Sequence, residues 1–258
     1  MKYSKHIIKM HMEKQRIKKY LVFFIIIIFI AVIIFVLFNQ GVPWFNNPLQ
    51  SQYPVRGVDV SAHQGEIDWD ALASQDIDFA FIKATEGSSF VDKNFKTNWE
   101  NARSAGIITG AYHFFSFESP AQSQAENFIN TVPCGTENLP PVVDIEFYGE
   151  FSKQHPAPEE VRAVLEELLN LLYEHYHVRP IIYATLSSYE MYIANHYEDY
   201  PIWIRSVYFE PVLSDNREWM FWQYSHKGRL YGYSGRERFI DLNVFNGSRE
   251  RFEELFLK

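Results

Sequence analysis

LPPVVDIE, residues 139–146, is a short apolar segment that ends in two carboxylates. Its two prolines end whatever precedes them, and the run that begins at Val142 is typical of a buried strand. Asp144 and Glu146 lie two residues apart, so on a strand both side chains point to the same face, with alpha carbons roughly 6.6 Å apart. Because a buried carboxylate costs several kcal/mol unless it is paired or used, the two form either a salt-bridged strand end or an acid/base pair at the mouth of a barrel.

The first 38 residues are typical of a membrane anchor. Residues 1–20 carry seven basic side chains against one acidic side chain, and Leu21–Phe38 follows without a charged or polar residue. As a helix, this apolar run spans about 27 Å, close to the thickness of a bilayer core. A signal-peptide core is usually shorter and precedes a small-residue cleavage site, and residues 39–43 contain no clear site of that kind. We therefore expect an uncleaved anchor, with a cleaved signal as the alternative.

These features predict a division of the chain into four parts. A basic cytoplasmic tail (residues 1–20) leads into the transmembrane anchor (21–38), a linker (39–54) and one barrel domain (55–258). By the positive-inside rule the tail stays in the cytoplasm, which places the large domain outside a single-pass cell membrane. Trp44 and Phe45 in the linker are expected at the lipid interface. The roughly 205 residues beyond the linker suffice for one sizeable core and fit two domains poorly.

The composition of the large domain excludes several classes of partner and site. Subtracting the seven basic residues and the one acidic residue of the tail from 24 and 32 leaves 17 and 31, a net charge of −14. Nucleic acid is therefore not an expected partner, because its binding depends on phosphate neutralisation. The single Cys134 rules out an internal disulfide and a cysteine-based zinc site. The sequence has no glycine-rich phosphate loop and no paired histidines, and we expect no cofactor and no metal. We also expect a monomer.

Strands and helices are predicted to alternate along the first part of the domain. The predicted strands there are 57–61, 79–85, 107–115, 142–146 and 180–185, and the predicted helices are 67–74, 92–105, about 119–132, 157–175 and 187–195. The alternation then lapses into three strands, at 202–207, 220–225 and 239–244, before a last helix at 249–257. Five βα units followed by three strands give eight strands, the number that closes a parallel-type barrel. A doubly wound open sheet is the competing architecture.

Polar side chains recur on these predicted strands, mostly toward their carboxyl ends: Asp59, Tyr112, His113, Asp144, Glu146, Tyr183, Trp222, Gln223 and Asp241. A closed barrel brings its first and eighth strands together, so Asp59 and Asp241 are expected to be neighbours. Four carboxylates at one mouth repel one another and raise at least one pKa, which suits a general acid. Taken singly, each residue also has a plainer interpretation. His113 would be a hydrogen-bonded core histidine, the aromatic residues core packing, and Lys83 with Glu86 an ordinary ion pair.

Six motifs in order give a more specific indication. GVDVSAHQG, FAFIKATEG, GAYHFF, PPVVDIE, FWQYS and IDLNVFNG resemble those of glycoside hydrolase family 25, the Chalaropsis-type lysozymes, over residues 56–247. The resemblance implies an α/β fold, an irregular TIM-like (β/α)5(β)3 barrel. It also implies N-acetylmuramidase activity on the β-1,4 bond between N-acetylmuramic acid and N-acetylglucosamine, with peptidoglycan glycan strands as the partner.

The same resemblance assigns roles to individual residues. Glu146 matches the family's acid/base, and Asp144 its partner, which would orient and charge-balance the substrate acetamido group. Asp59 and Asp241 match the two remaining family carboxylates. The implied substrate contacts are Tyr112, Tyr183, Trp222 and Gln223, with Tyr183 and Trp222 as aromatic walls of the sugar cleft. One departure lies in the sixth strand, where WIRSVY replaces the common W-I-A-R-Y and leaves the role of Arg205 in doubt.

Two rival functions stay open from the residues alone. A metal-dependent polysaccharide deacetylase also uses aspartates and a histidine in a barrel, but it requires metal-ligand spacing such as paired histidines. A non-catalytic wall-binding barrel would bind glycan and release no reducing ends. The presence of all four family carboxylates argues against the second rival.

Overall fold

The computed structural model describes residues 2–40, 46–135 and 138–256. The chain divides into two compact units, Met1–Trp44 and Phe45–Lys258. The first contains one helix, α1 (Lys2–Asn39), which includes the basic tail as well as the predicted anchor. Its stretch Met10–Leu37 is long and apolar enough to cross a membrane by length and composition. Trp44 and Phe45, expected at the lipid interface, lie outside the described residues.

The second unit is built on one sheet. Its described residues form nine strands, β1 (Arg56–Val60), β2 (Phe79–Glu86), β3 (Phe90–Val91), β4 (Ile108–Phe114), β5 (Val142–Ile145), β6 (Ile181–Thr185), β7 (Ile202–Arg205), β8 (Phe221–Gly228) and β9 (Ile240–Phe245). Eight of them follow one another in the order β1, β9, β8, β7, β6, β5, β4, β2, and a parallel pairing of β2 with β1 closes the ring. The two-residue β3 only extends the end of β2 as a hairpin.

Helices follow the first five barrel strands, as the sequence predicts. They are α2 (Trp69–Ala73), α3 (Phe95–Ser104), α4 (Ala121–Thr131), α5 (Pro158–Tyr176) and α6 (Leu186–Ser188, continued by a π-helical turn at Tyr189–Ile193), and the closing helix is α7 (Arg249–Phe256). Short 3₁₀ turns lie at Ala62–Gln64 and Gly149–Ser152. Between β7 and β9 the chain is described throughout and contains no helix. The predicted (β/α)5(β)3 barrel is confirmed, and the open sheet is not formed.

The last strand runs against its neighbours. β9 is antiparallel to both β8 and β1, whereas the other pairs around the barrel are parallel. A parallel pair needs a long crossover connection, and the segment between β8 and β9 has no helix to make one. Asp241 therefore lies at the start of its strand rather than toward the carboxyl end as predicted. The reversal still brings Asp241 to the same mouth, opposite Asp59.

Apolar packing has two parts. An aromatic group that we call the base cluster closes the barrel at its amino end. It consists of Phe79, Phe81, Phe221 and Phe245 on the strands and of Phe252 and Phe256 on α7. Outside the barrel, the helices pack against the outer faces of the strands; α5 buries Val161, Leu165, Leu168, Leu169 and Leu172. These five residues recur at the three- and four-residue spacing of one face of an amphipathic helix.

Much of the predicted linker packs on the barrel. Asn46 donates through Nδ2 to the carbonyl oxygens of Ser206 and Tyr224, each at 3.0 Å. Tyr53 is buried and its ring lies 5.8 Å from that of Trp219. We call residues 46–55 the strap, because they cover the outer face of the barrel. The compact unit therefore begins before residue 55.

Candidate active site

The mouth of the barrel holds a cleft of about 430 Å³. Its polar lining includes Asp59, Lys83, Tyr112, Asp144, Glu146, Tyr183, Arg205, Gln223, His226, Glu237 and Asp241. All four predicted carboxylates are in this set, together with Tyr112, Tyr183 and Gln223. The carboxyl ends of parallel strands meet at one edge of a barrel, so residues far apart in sequence converge here.

Asp144 and Glu146 lie at the end of β5, side by side on the cleft. Asp144 is only 6 % exposed, and its Oδ1 has no hydrogen-bond partner among the described residues. Burial and then the charge of Glu146 raise the pKa of Asp144 well above its usual range. Burial also raises the pKa of Glu146, against the attraction of the Arg205 guanidinium. The pair therefore retains a proton to higher pH than two isolated carboxyls would.

Asp59 and Asp241 face each other across β1 and β9. Gln223 donates through Nε2 to Asp59 Oδ1 at 2.9 Å and to Asp241 Oδ2 at 3.3 Å, and Asn243 donates to Asp59 Oδ1 at 2.7 Å. Burial raises the pKa of Asp59, and these donated hydrogen bonds oppose the rise. Burial and the charge of Asp59 raise the pKa of Asp241 well above its usual range. The second carboxyl pair thus also holds protons tightly.

Gln223 connects this carboxyl pair to an aromatic wall. Its Oε1 accepts a hydrogen bond from the Tyr183 hydroxyl at 3.1 Å, which fixes the amide so that its nitrogen faces the two aspartates. Burial, and then the charges of nearby carboxylates, raise the pKa of both Tyr112 and Tyr183 well above the usual value. Both phenols therefore stay protonated and act as hydrogen-bond donors at the cleft.

The structure corrects the predicted position of Trp222. Its neighbours Phe221 and Gln223 point into the barrel, so Trp222 points out of it. The indole is 2 % exposed, donates through Nε1 to the carbonyl of Ser206 at 2.8 Å and packs against Tyr53 of the strap. Trp222 is a core residue beneath the strap and does not line the cleft.

Two of the plainer interpretations are confirmed. The His113 ring is fully buried and bonded to Thr85 Oγ1 at 2.7 Å and to Gln124 Oε1 at 3.0 Å. Burial lowers its pKa to about 4, so it is a neutral core histidine. Lys83 pairs with Glu86 at 2.7 Å, and its ammonium also lies 4.7 Å from the centre of the Phe114 ring at the cleft.

The sequence did not assign two residues that shape the charge of the site. Arg205 ends β7 and lines the cleft, where its positive charge lowers the pKa values of Asp59, Glu146 and Asp241 against the effect of burial. Asn243 bonds Asp59 and is held in turn by Trp203 Nε1 at 2.8 Å. For Arg205 the sequence offered one indication. Trp203 and Arg205 lie two residues apart, which places both side chains on the same face of the strand.

Residues 58–233 match the model of glycosyl hydrolases family 25. A family 25 glycosyl hydrolase from Bacillus anthracis has a similar structure, with 48 % identity, a TM-score of 0.77, and coverage of 82 % of this chain and 97 % of that one. The bacterial lysozyme of Streptomyces coelicolor is 34 % identical with a TM-score of 0.71, covering 78 % and 96 %. Lysozyme M1 of Streptomyces globisporus is 36 % identical over 217 residues, 76 % of this chain and 69 % of that protein. The resemblance of the motifs is confirmed: the chain belongs to glycosyl hydrolase family 25, the family of these lysozymes.

Proposed function

We propose that this muramidase hydrolyses the β-1,4 bond between N-acetylmuramic acid and N-acetylglucosamine in peptidoglycan, with Glu146 as the acid/base. The observation that carries the proposal is the Asp144–Glu146 pair in the cleft, where both pKa values are raised. A carboxyl that keeps its proton near neutral pH can serve as a general acid.

Glu146 acts twice. Its carboxylic acid gives a proton to the glycosidic oxygen as the bond from that oxygen to the anomeric carbon breaks. The resulting carboxylate then removes a proton from the water that attacks the anomeric carbon. Glu146 is the more exposed member of the pair, which leaves it accessible to the leaving sugar and to water.

Asp144 stabilises the positive charge that develops on the sugar. Its buried Oδ1 lacks a partner among the described residues, so substrate can supply one. The carboxylate acts either directly on the anomeric carbon or through the acetamido oxygen of the substrate. Positive charge on the sugar favours ionised Asp144, and this leaves the shared proton on Glu146.

Asp59, Asp241, Gln223 and the two tyrosines bind the sugars around the scissile bond. The hydrogen bonds from Gln223 and Asn243 hold the two aspartates in place before substrate arrives. Tyr112 donates to a sugar oxygen on one side of β5. On the other side Tyr183, whose hydroxyl already donates to Gln223, offers its ring as a wall, since β4 and β6 flank that strand. Such preorganised contacts reduce the ordering that binding requires.

Helix α1 anchors the enzyme in the cell membrane, with residues 1–20 in the cytoplasm and the barrel outside. The exposed apolar residues Leu21–Val36, within the stretch Met10–Leu37, and the seven basic residues before them support this topology. The substrate supports it as well, because peptidoglycan lies outside the cytoplasm. Protease added to intact spheroplasts should therefore digest the barrel and leave an N-terminal fragment in the membrane.

Mass spectrometry of digested peptidoglycan tests the reaction. We expect products whose new reducing end is N-acetylmuramic acid, formed equally well in the presence of a chelator. A reducing end of N-acetylglucosamine would overturn the assigned bond. Released acetate that disappears with chelator would instead indicate the deacetylase, and binding without any new reducing end would indicate a non-catalytic barrel.

A further inference from the structure

A row of aromatic rings leads out of the cleft along the loops that follow β4 and β5. We call it the aromatic shelf, and it consists of Phe114, Phe117, Tyr148 and Phe151. Phe114 lines the cleft, and its ring centre lies 5.4 Å from that of Tyr148. Tyr148 in turn lies 5.5 Å from Phe117 and 5.3 Å from Phe151. The shelf is therefore continuous with the site of reaction.

All four rings of the shelf are partly exposed, unlike the rings of the base cluster, which are 0–6 % exposed. Phe115, which lies within the same loop region, is 1 % exposed and packs in the core. The inner edge of the shelf contributes to folding, since Phe117 also packs against that core. Its outer rings leave apolar faces in contact with water, a cost that a ligand can remove.

Tyr148 is held in a fixed orientation. Its hydroxyl accepts a hydrogen bond from the backbone N–H of Phe117 at 3.0 Å, and the two rings are stacked with an interplanar angle of 20°. A ring fixed in this way loses little conformational freedom when it binds a ligand. Its position is also defined with respect to the reaction, because Tyr148 follows Glu146 by two residues.

We propose that the aromatic shelf is an additional glycan-binding platform, on which sugar rings beyond the two flanking the scissile bond stack. This inference rests on the proposed function, because it takes the same glycan strand as the ligand. Pyranose rings present flat faces of C–H groups that pack on aromatic rings. Phe114 lines the same cleft as Asp144 and Glu146, so a glycan strand bound there can extend onto the shelf.

The charges around the shelf favour sugars over the anionic stem peptides of the same polymer. Glu118 and Glu150 flank it on the two loops and outnumber Lys153. Lys83 lies over Phe114 but is already paired with Glu86. An uncharged sugar meets no electrostatic penalty at this surface, whereas a carboxylate does.

The test compares long and short substrates with the full-length enzyme. Tyr148→Ala removes the ring, and Tyr148→Phe is the matched control that keeps the ring and loses only the hydroxyl. We measure kcat/KM on long glycan strands and on a soluble fragment of two disaccharide repeats. The ratio of kcat/KM on long strands to kcat/KM on the short fragment should fall about three- to tenfold in Tyr148→Ala, in line with the worth of one aromatic contact. The fall should come from a higher KM on long strands rather than from a lower kcat. The ratio should stay close to its original value in Tyr148→Phe.

Two results would overturn the shelf as a binding site. One is an unchanged ratio in a folded Tyr148→Ala enzyme. The other is an equal loss on both substrates together with a lower melting temperature, which would make the ring structural. If the unmodified enzyme released no muramic-acid ends, the proposed reaction would fail, and the shelf would be tested separately. The affinity of the full chain for chitooligosaccharides of increasing length would then be measured. Affinity that rises with length in the original enzyme but not in Tyr148→Ala would support the shelf, and an equal rise in both would overturn it.

Discussion

The two ends of the barrel are built from opposite kinds of side chain. At the mouth, four carboxyls share one cleft, and the pKa of each is raised by burial. At the base, the rings of Phe79, Phe221 and Phe245 pack with centroid separations of 5.1 and 5.4 Å. Raised carboxyl pKa values mean that ionising these groups costs folding free energy, whereas burying rings gains it.

Stability and function are therefore separated along the barrel axis, with the apolar base stabilising the fold and the polar mouth holding the site. Strands present alternating faces, and their inward positions run from the rings of the base cluster to the carboxyls of the cleft. On β8, Phe221 lies in the base cluster and Gln223 holds the aspartates two residues later. Substitutions at the mouth should therefore change activity while leaving stability intact or improved, and substitutions at the base should do the reverse.

The largest expected effect is that of Glu146→Gln at the mouth. The amide cannot donate the proton, so the rate should fall at least 10²–10⁴-fold, the usual worth of general acid/base catalysis. The melting temperature should not fall, because the change removes a carboxyl that burial disfavours. Release of reducing ends and thermal unfolding measure the two effects. The control is Glu167→Gln on the exposed face of α5. A Glu146→Gln enzyme with more than about a tenth of the original activity would disprove the role.

At the base, Phe221→Ala should have the reverse effect. Its ring is fully buried against Phe79, Phe81 and Phe245, and truncating such a residue costs about 3–5 kcal/mol. Denaturant unfolding measures the loss, and activity per folded molecule should stay near the original value. Phe209→Ala is the matched control, because that ring is 75 % exposed and should change stability by at most about 0.5 kcal/mol. Loss of activity in folded Phe221→Ala would show that the two ends are coupled.

Periodicity in the sequence was sufficient to predict the barrel but not the inward face of each strand. Predicted strands and helices agree with the structure because apolar spacing persists over several turns or alternations. β3 and the two 3₁₀ turns were missed because two to four residues are too few to show a period. Adjacent residues on a strand point to opposite faces, so alternation allows only one of Trp222 and Gln223 in the cleft. Because barrel strands are apolar on both faces, the sequence of β8 does not show which one. The error at Trp222 follows from this ambiguity.

The carboxylates of the site and Gln223 could be predicted, whereas the supporting roles of Asn243 and Arg205 could not. Buried acidic residues stand out in an apolar strand because burying their charge is costly. The spacing of Arg205 from Trp203 shows which strand face it shares, but the carboxylates near Arg205 and Asn243 become apparent only when strands distant in sequence are placed side by side. The strap was missed for a similar reason, since its contacts with Ser206 and Tyr224 join residues about 160 and 178 positions apart.

A smaller effect is expected on the outer face of the barrel, away from both ends. Asn46→Ala removes the two hydrogen bonds that fix the strap, at a cost of about 1–3 kcal/mol for two such bonds. The adjacent Asn47→Ala is the control, because Asn47 is exposed. Urea unfolding of the two full-length variants measures the difference, and their activities should be equal. Equal stabilities would mean that residues 46–54 are only a spacer, as predicted for the linker (39–54).

The last variant removes the Asp241 carboxyl at the mouth and is expected to increase the stability of the fold. The pKa of Asp241 is raised in the folded protein by burial and by the charge of Asp59. As pH rises above the unfolded value of about 4, the unfolded chain releases this proton while the folded chain retains it. Stability therefore falls with pH until the folded-state pKa is passed, and is constant above it.

Asp241→Asn should remove this decline, because the amide can still donate to Asp59 and never ionises. We expect the variant to match the original protein near pH 4 and to be more stable than it at pH 8, because the pKa of Asp241 is raised in the folded protein. Urea unfolding at a series of pH values measures the curve. Glu174→Gln on the exposed face of α5 controls for the loss of one negative charge. A variant less stable than the original at pH 8 would mean that the mouth of the barrel stabilises the fold through its carboxylates, and the division between the two ends would not hold.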